Sequence, residues 1–73
     1  MNVDVKVSLE AAISSKSEVG LVYTDSKGVT TNRIVRPDEF ETVPSGELLV
    51  AFDKEKNEYR KFSVSGIDLV TIL

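Results

Sequence analysis

The chain has 73 residues, 9 of them basic and 12 acidic, and a formal net charge of −3. A chain this short forms one domain, here 1–73, and buries only about 60% of the surface that it exposes when unfolded. It has no cysteine and no histidine, which excludes disulfide bonds, the usual zinc sites and Ser-His-Asp or Cys-His catalysis. Because such a small core is marginal, a homodimer is one way to supplement it.

The mild negative charge argues against a nucleic-acid binder that is coated in lysine, although it leaves room for a local basic patch. The N-terminal segment 1–7 alternates polar and apolar residues, unlike a secretory signal or a membrane span. The absence of cysteine fits the cytoplasm. The sequence therefore predicts a soluble, cytoplasmic protein that does not bind a membrane.

The first predicted element is a strand over Val3–Val7, where valines alternate with polar residues. A short helix follows, with Ser8 as its N-cap. Its apolar face comprises Leu9, Ala12 and Ile13. The serine-rich stretch 14–17 ends this helix, because serine side chains compete for the backbone hydrogen bonds.

A β-hairpin is predicted next. Val19–Thr24 alternates like a strand, and Asp25–Gly28 has the composition of a turn. Val29–Arg36 returns antiparallel and ends at Pro37, which has no N–H to donate to a neighbouring strand. In the connection that follows, Phe40 is expected to anchor the chain to the core.

The last part of the chain predicts three further strands. Pro44–Gly46 is a turn, and Glu47–Asp53 is a strand with Leu48, Val50 and Phe52 on one side. The charged segment 54–57 connects it to a strand over Glu58–Val64, in which Phe62 and Val64 point inward. Ile67–Leu73 is the final strand, and we expect it to pair with Val3–Val7 of the same chain or of a neighbouring copy.

The predicted fold class is mostly β: a small Sm-like or SH3-like barrel of about five to six antiparallel strands with one short N-terminal helix. A sheet this small cannot cover both of its faces. It therefore has to curl into a barrel or fold against the helix.

From Leu9 onward the order of these motifs resembles the WYL domain, a small Sm-like (SH3-type) β-barrel that usually follows a DNA-binding helix-turn-helix in bacterial regulators. Five segments carry the resemblance in order: Leu9–Ile13, Val19–Tyr23, Arg33–Pro37, Glu47–Asp53 and Arg60–Ile67. They match the family's L-x-x-A-I helix, its first strand, its R-x-V-x-P step, the strand that gives the family its name, and its R-x-F-R-L-D-R-I strand.

The chain also departs from the family pattern. Glu47, Leu48 and Leu49 stand where the family has Trp-Tyr-Leu, and Ser63–Gly66 stands where it has Arg-Leu-Asp-Arg. In the family, that tyrosine and the arginines around it are associated with binding nucleic acid or another anionic ligand. The resemblance implies a stand-alone regulatory module in transcription or defence control, from a phage or mobile element among other sources, without a helix-turn-helix to read duplex DNA.

The candidate ligand-binding residues are Arg36, Tyr59, Arg60 and Lys61. Arginine makes planar, bidentate contacts with phosphate or carboxylate, and an exposed tyrosine stacks on bases. The predicted ligand is single-stranded nucleic acid or a nucleotide-like anion. The alternative for the arginines is a structural ion pair with an acid such as Glu47 or Asp53.

The alternative function is a protein-interaction module that docks a host or regulatory protein. Asp38–Glu41 and Glu47 would supply an acidic surface for it, and an unpaired edge strand would supply a second one. The four glycines are scattered singly, so no phosphate-binding loop is present. We predict no catalytic activity, no cofactor and no metal.

Overall fold

A computed structural model describes residues 3–73 of the chain. It contains one α-helix, five β-strands and one turn of 3₁₀-helix between the last two strands. In chain order these elements are α1 (Val3–Ser15), β1 (Val19–Thr24), β2 (Thr30–Val43), β3 (Gly46–Asp53), β4 (Glu58–Ser63), the 3₁₀ turn (Val64–Gly66) and β5 (Ile67–Ile72). No helix among these residues is long and apolar enough to cross a membrane.

The five strands form one antiparallel sheet in the order β4-β3-β2-β1-β5. β4 and β5 lie at opposite ends of that order, yet only the 3₁₀ turn separates them in the chain. The sheet therefore has to curl so that its two ends approach each other. A hydrogen bond from the backbone N–H of Ser63 to the hydroxyl of Tyr23 (3.3 Å) joins β4 to β1 across this closure. The predicted small barrel is confirmed, with five strands.

The helix begins earlier than the sequence pattern indicates, and the predicted strand over Val3–Val7 is wrong. Val5, Leu9 and Ala12 recur at helical spacing and are buried on one side of α1. Burial of this stripe against the sheet overrides the low helix propensity of valine. The predicted pairing of the last strand with Val3–Val7 is consequently wrong as well: β5 pairs with β1, with Ile72 opposite Val19.

Pro37 does not end the second strand, contrary to the prediction. β2 continues to Val43, and Asp38 is an extra residue between the pairs Pro37–Ala51 and Glu39–Val50. This β-bulge accommodates a proline inside a central strand, because a bulge interrupts the ladder locally. Phe40 lies beyond the bulge and packs, half-buried, against the core, as predicted.

The core lies between α1 and the concave face of the sheet. Its buried apolar residues are Val5, Leu9, Ala12, Val19, Leu21, Val35, Leu49, Ala51, Phe62 and Ile67. Leu48, Val50 and Phe52 share one side of β3 as expected, but they lie on the outer face and are half-buried. The outer face of this strand is therefore more apolar than solvent exposure alone would favour.

Candidate functional site

A row of three side chains crosses the outer face of the sheet from β2 to β4. Arg36 lies opposite Phe52 in the strand register, and Phe52 lies opposite Tyr59. The guanidinium of Arg36 stands over the Phe52 ring, 5.5 Å from its centroid. The rings of Phe52 and Tyr59 meet edge to face, with their centroids 5.2 Å apart. We call these three residues the outer row.

The outer row offers a cation and an aromatic surface to solvent. Tyr59 is 56% exposed, and Arg36 is exposed too. Among the side chains of residues 5–73, no carboxylate lies within 4.0 Å of the Arg36 guanidinium. An accessible ring beside an arginine without a carboxylate partner suits a planar ligand that carries negative charge.

Lys61 lies on the same outer face, one row away, opposite Val50. Its ammonium pairs with Glu41 at 2.9 Å, and both side chains are about half exposed. An exposed pair of this kind contributes only about 0–1 kcal/mol. Lys61 can therefore exchange Glu41 for a ligand anion at small cost.

Arg60 is not brought together with the other three candidates. It lies opposite Ala51 on the concave face of the sheet and is half-buried. Glu47 and Asp53 were the acids expected to form a structural ion pair with an arginine. Neither of them pairs with Arg36 or Arg60. Glu47 pairs with Lys6, and Asp53 pairs with Arg33.

The Arg33–Asp53 pair is a structural feature of the barrel interior. Asp53 is 1% exposed, and its Oδ2 accepts a hydrogen bond from Arg33 at 3.2 Å. Its Oδ1 accepts the backbone N–H groups of Glu55 and Lys56, at 3.0 and 3.2 Å. Asp53 thus fixes the β3–β4 turn, which sets the register that places Tyr59 beside Phe52.

The positions where the resemblance places the family's ligand site carry no basic residue in this chain. Leu48 lies at the far end of the outer face, opposite Ser63. A surface depression of about 410 Å³ lies nearby. Its lining includes Ser63 and Ser65, two of the positions where the chain departs from the family motif, and one acid, Asp25. The lining residues are Tyr23, Thr24, Asp25, Ser26, Ser63, Ser65 and Gly66. The cations of the outer face lie instead toward its Phe52 end.

A second concavity adjoins the outer row. This cleft of about 530 Å³ lies between the end of α1 and the β2 bulge, and we call it the bulge cleft. It is lined by Ile13, Lys16, Arg36, Pro37 and Asp38. Arg36 therefore belongs both to the outer row and to the bulge cleft.

The backbone of Lys16 has a left-handed conformation, with φ of 56°. It follows α1, where Lys16 N–H bonds Ile13 O at 3.2 Å and Ser17 N–H bonds Ala12 O at 2.9 Å. Glycine usually occupies this position of a helix end, because the left-handed region costs other L-residues about 1–2 kcal/mol. The sequence pattern did not indicate Lys16 as a candidate, because its position beside the cleft depends on where α1 ends.

The helix, the curled five-stranded antiparallel sheet and its strand order define a small Sm-like β-barrel module. The WYL domain family model matches residues 4–72, and the chain belongs to this family. It is also similar to the solved structure of proteasome accessory factor B/C (PafBC) of Arthrobacter aurescens, with a TM-score of 0.88 at 18% identity. That match covers 97% of this chain and 11% of the PafBC chain, and it shows a shared fold. No curated protein matches the chain.

Proposed function

We propose that this WYL domain is a non-catalytic regulatory binding module whose outer row binds single-stranded nucleic acid or a nucleotide-like anion. The family assignment supports a regulatory ligand-binding role in general. The observation that carries the finer proposal is the stacking of Arg36 on Phe52 beside the exposed ring of Tyr59. A role in transcription or defence regulation goes with this proposal.

The chemistry of the outer row matches the two halves of a nucleotide. The exposed face of Tyr59 offers a stacking surface, and stacking of a base on an aromatic side chain contributes about 1–3 kcal/mol. Arg36 is held over Phe52, so its planar N–H groups are partly oriented before a phosphate arrives. Lys61 adds a second cation once it releases Glu41.

Binding of a labelled oligothymidine, followed by fluorescence anisotropy at low salt, tests the proposal. Arg36→Ala and Tyr59→Ala should each weaken binding about tenfold, because each removes one of these contacts. Lys27→Ala is the matched control: Lys27 is exposed in the β1–β2 turn and forms no ion pair with the described residues. Absence of binding by the wild-type chain at low salt would overturn the proposal.

Arg60 enters the same experiment as a separate arm. It remains a predicted ligand residue, but it lies on the face opposite Tyr59 and Lys61. Arg60→Ala should therefore weaken oligothymidine binding less than Arg36→Ala does. A larger effect for Arg60 would move the proposed site from the outer row to the concave face.

A second candidate is docking of a regulatory protein on β5, which could be a host protein or another copy of the chain. Its support is the exposure of apolar side chains there: Leu69 is 56% exposed and Ile72 48%. Among residues 3–73, β5 pairs with β1 alone, so its second edge has no strand partner, which is the feature that β-augmentation requires. If oligothymidine does not bind, recovery of a partner by the wild-type chain and its loss with Leu69→Lys would support this candidate.

A further inference from the structure

We propose that the bulge cleft is a phosphate subsite, in which Lys16 and Arg36 together hold the phosphate of a ligand whose base stacks on the outer row. This inference rests on the proposed function and specifies how the ligand lies. The base would contact Tyr59 and Phe52, and the phosphate would reach across β2 into the cleft.

The lining of the cleft has the chemistry for this role. Lys16 and Arg36 are both exposed, and neither forms an ion pair with any side chain from residue 5 to residue 73. Ile13 and Pro37 supply an apolar part of the lining. Asp38 is the one acid in it, so the cleft has a net positive charge on a chain whose total charge is −3. A phosphate is therefore drawn to this cleft more strongly than to the acidic surface as a whole.

The backbone of Lys16 is an independent observation in favour of the subsite. Of the residues described, Lys16 and Asn57 are the two non-glycine residues with positive φ. Asparagine tolerates the left-handed region, whereas lysine has no side-chain hydrogen bond that compensates for it. An unfavourable conformation that places a cation at a cleft is typical of a functional constraint.

The spacing of the strands allows one nucleotide to span both parts of the site. Arg36 on β2 and Tyr59 on β4 are separated by one strand, so their backbones lie about 10 Å apart. Arg36 and Tyr59 both contact Phe52, one from each neighbouring strand. A base stacked on the exposed face of Tyr59 thus leaves its phosphate within reach of Arg36 and the bulge cleft.

The test compares AMP with adenosine in ¹H–¹⁵N NMR titrations of the wild-type chain and of Lys16→Gly. Glycine removes the cation and suits the left-handed backbone, so this variant should fold at least as stably as the wild type. We expect the wild type to bind AMP about tenfold more tightly than adenosine. Lys16→Gly should lose most of this preference, because only Arg36 then contacts the phosphate, and its affinity for adenosine should be unchanged. The control Lys27→Ala should keep the full preference for AMP.

A second arm distinguishes a free nucleotide from the end of a strand. Short oligothymidine with and without a 5′-phosphate replaces AMP and adenosine. A preference for the phosphorylated strand that Lys16→Gly reduces assigns the subsite to strand ends. Equal binding with and without phosphate in both arms, or a phosphate preference that Lys16→Gly does not reduce, would overturn the subsite and leave the proposed function intact. If none of the four probes binds, the proposed function fails and the subsite fails with it.

Discussion

Asp53 carries a negative charge into the barrel interior, where 1% of the residue is exposed. Its carboxylate is compensated by the Arg33 guanidinium and by two backbone N–H groups of the β3–β4 turn. Arg33 in turn stands over the ring of Phe62, 5.9 Å from its centroid. A buried pair of this kind costs free energy when one partner is removed, since the other charge is left without compensation.

We therefore predict that Asp53→Ala lowers the free energy of unfolding by about 3 kcal/mol. Asp53→Asn should cost less, because its amide oxygen can still accept the turn N–H groups of Glu55 and Lys56. Urea denaturation measures both effects, with Glu55→Ala as the control in the same turn. A loss of less than about 1 kcal/mol for Asp53→Ala is typical of an exposed ion pair and would contradict a buried Arg33–Asp53 pair.

Some residues of the candidate site could be selected from the sequence, but the neighbours of these residues could not. The types of residue were enough to select Arg36, Tyr59 and Lys61, because few side chains bind anions or stack on bases. Strand alternation separates Arg60 from its neighbours Tyr59 and Lys61. The partner of Arg36, in contrast, depends on the register between β2 and β3, which places Phe52 opposite it. Composition and spacing do not specify that register.

At the scale of elements, two glycines have opposite roles. A Cβ at Gly66, in the 3₁₀ turn, would lie 2.6 Å from the carbonyl oxygen of Thr24 and 2.9 Å from the Tyr23 ring. A Cβ at Gly20, in β1, would have no neighbour within 4 Å. The short connection between β4 and β5 thus requires glycine, whereas β1 does not.

Gly66→Ala should consequently destabilise the barrel by about 2 kcal/mol or more, since backbone at the closure must shift. Gly20→Ala should stabilise it by about 0.5–1 kcal/mol, because alanine has less conformational entropy to lose in a strand. Thermal unfolding of the two variants and of the wild type shows whether each substitution raises or lowers the stability. Equal effects of the two substitutions would contradict this description of the closure.

An ion pair between Lys6 of α1 and Glu47 of β3 connects the helix to the sheet, and its strength depends on pH. Lys6 Nζ donates a hydrogen bond to Glu47 at 2.7 Å, which raises the pKa of the Lys6 ammonium above its ordinary value of 10.5. The charges of Glu47 and Glu10 act in the same direction, while desolvation opposes them. Since the pKa is raised in the folded state, the contact stabilises the fold fully below pH 10.5 and is lost as the pH rises through the raised value.

We predict that the wild type loses stability more steeply than Lys6→Met as the pH increases above 10.5. Urea midpoints measured across the alkaline range give the two slopes. Lys27→Met is the charge-matched control and should follow the wild type. Parallel curves for the wild type and Lys6→Met would show that the contact does not form in solution.

The elements that the sequence misassigned share one cause, which is that tertiary packing decides between two local patterns. The valines near the N-terminus fit a strand by alternation, but Val5 also lies four residues before Leu9, and burial against the sheet selects the helix. Pro37 suggests a strand end, yet the bulge at Asp38 lets β2 continue. Strands with clear alternation and turns on both sides, such as Val19–Thr24, were predicted with their full bounds.

At the scale of the whole molecule, the net charge of −3 limits how a polyanion binds. The proposed site has two cations on the outer face, Arg36 and Lys61, and a third in the bulge cleft, Lys16. Long-range attraction is weak on an acidic chain, so binding depends on these few local contacts. The salt dependence should therefore be shallow.

For two to three phosphates neutralised on a single strand, the slope of log K against log salt concentration should be about −1.4 to −2.1. Anisotropy titrations of oligothymidine at several salt concentrations give this slope, and Lys16→Gly and Lys61→Ala should each make it less negative by about 0.7. A slope steeper than about −4 would mean that more cations take part than the proposed site contains.

The strand order also predicts the sequence of events during folding. Three of the four strand pairs, β1–β2, β2–β3 and β3–β4, join strands that are consecutive in the chain, so forming them closes only short loops. The fourth pair requires β5 to return to β1, with Ile72 opposite Val19. Closing that long loop costs more entropy, and we expect β5 to dock after the rate-limiting step. Val70→Ala should then accelerate unfolding and leave the folding rate nearly unchanged in stopped-flow measurements, whereas Leu49→Ala in β3 should slow folding. The strand at this end of the sheet would thus be the last to join the barrel and the first to leave it.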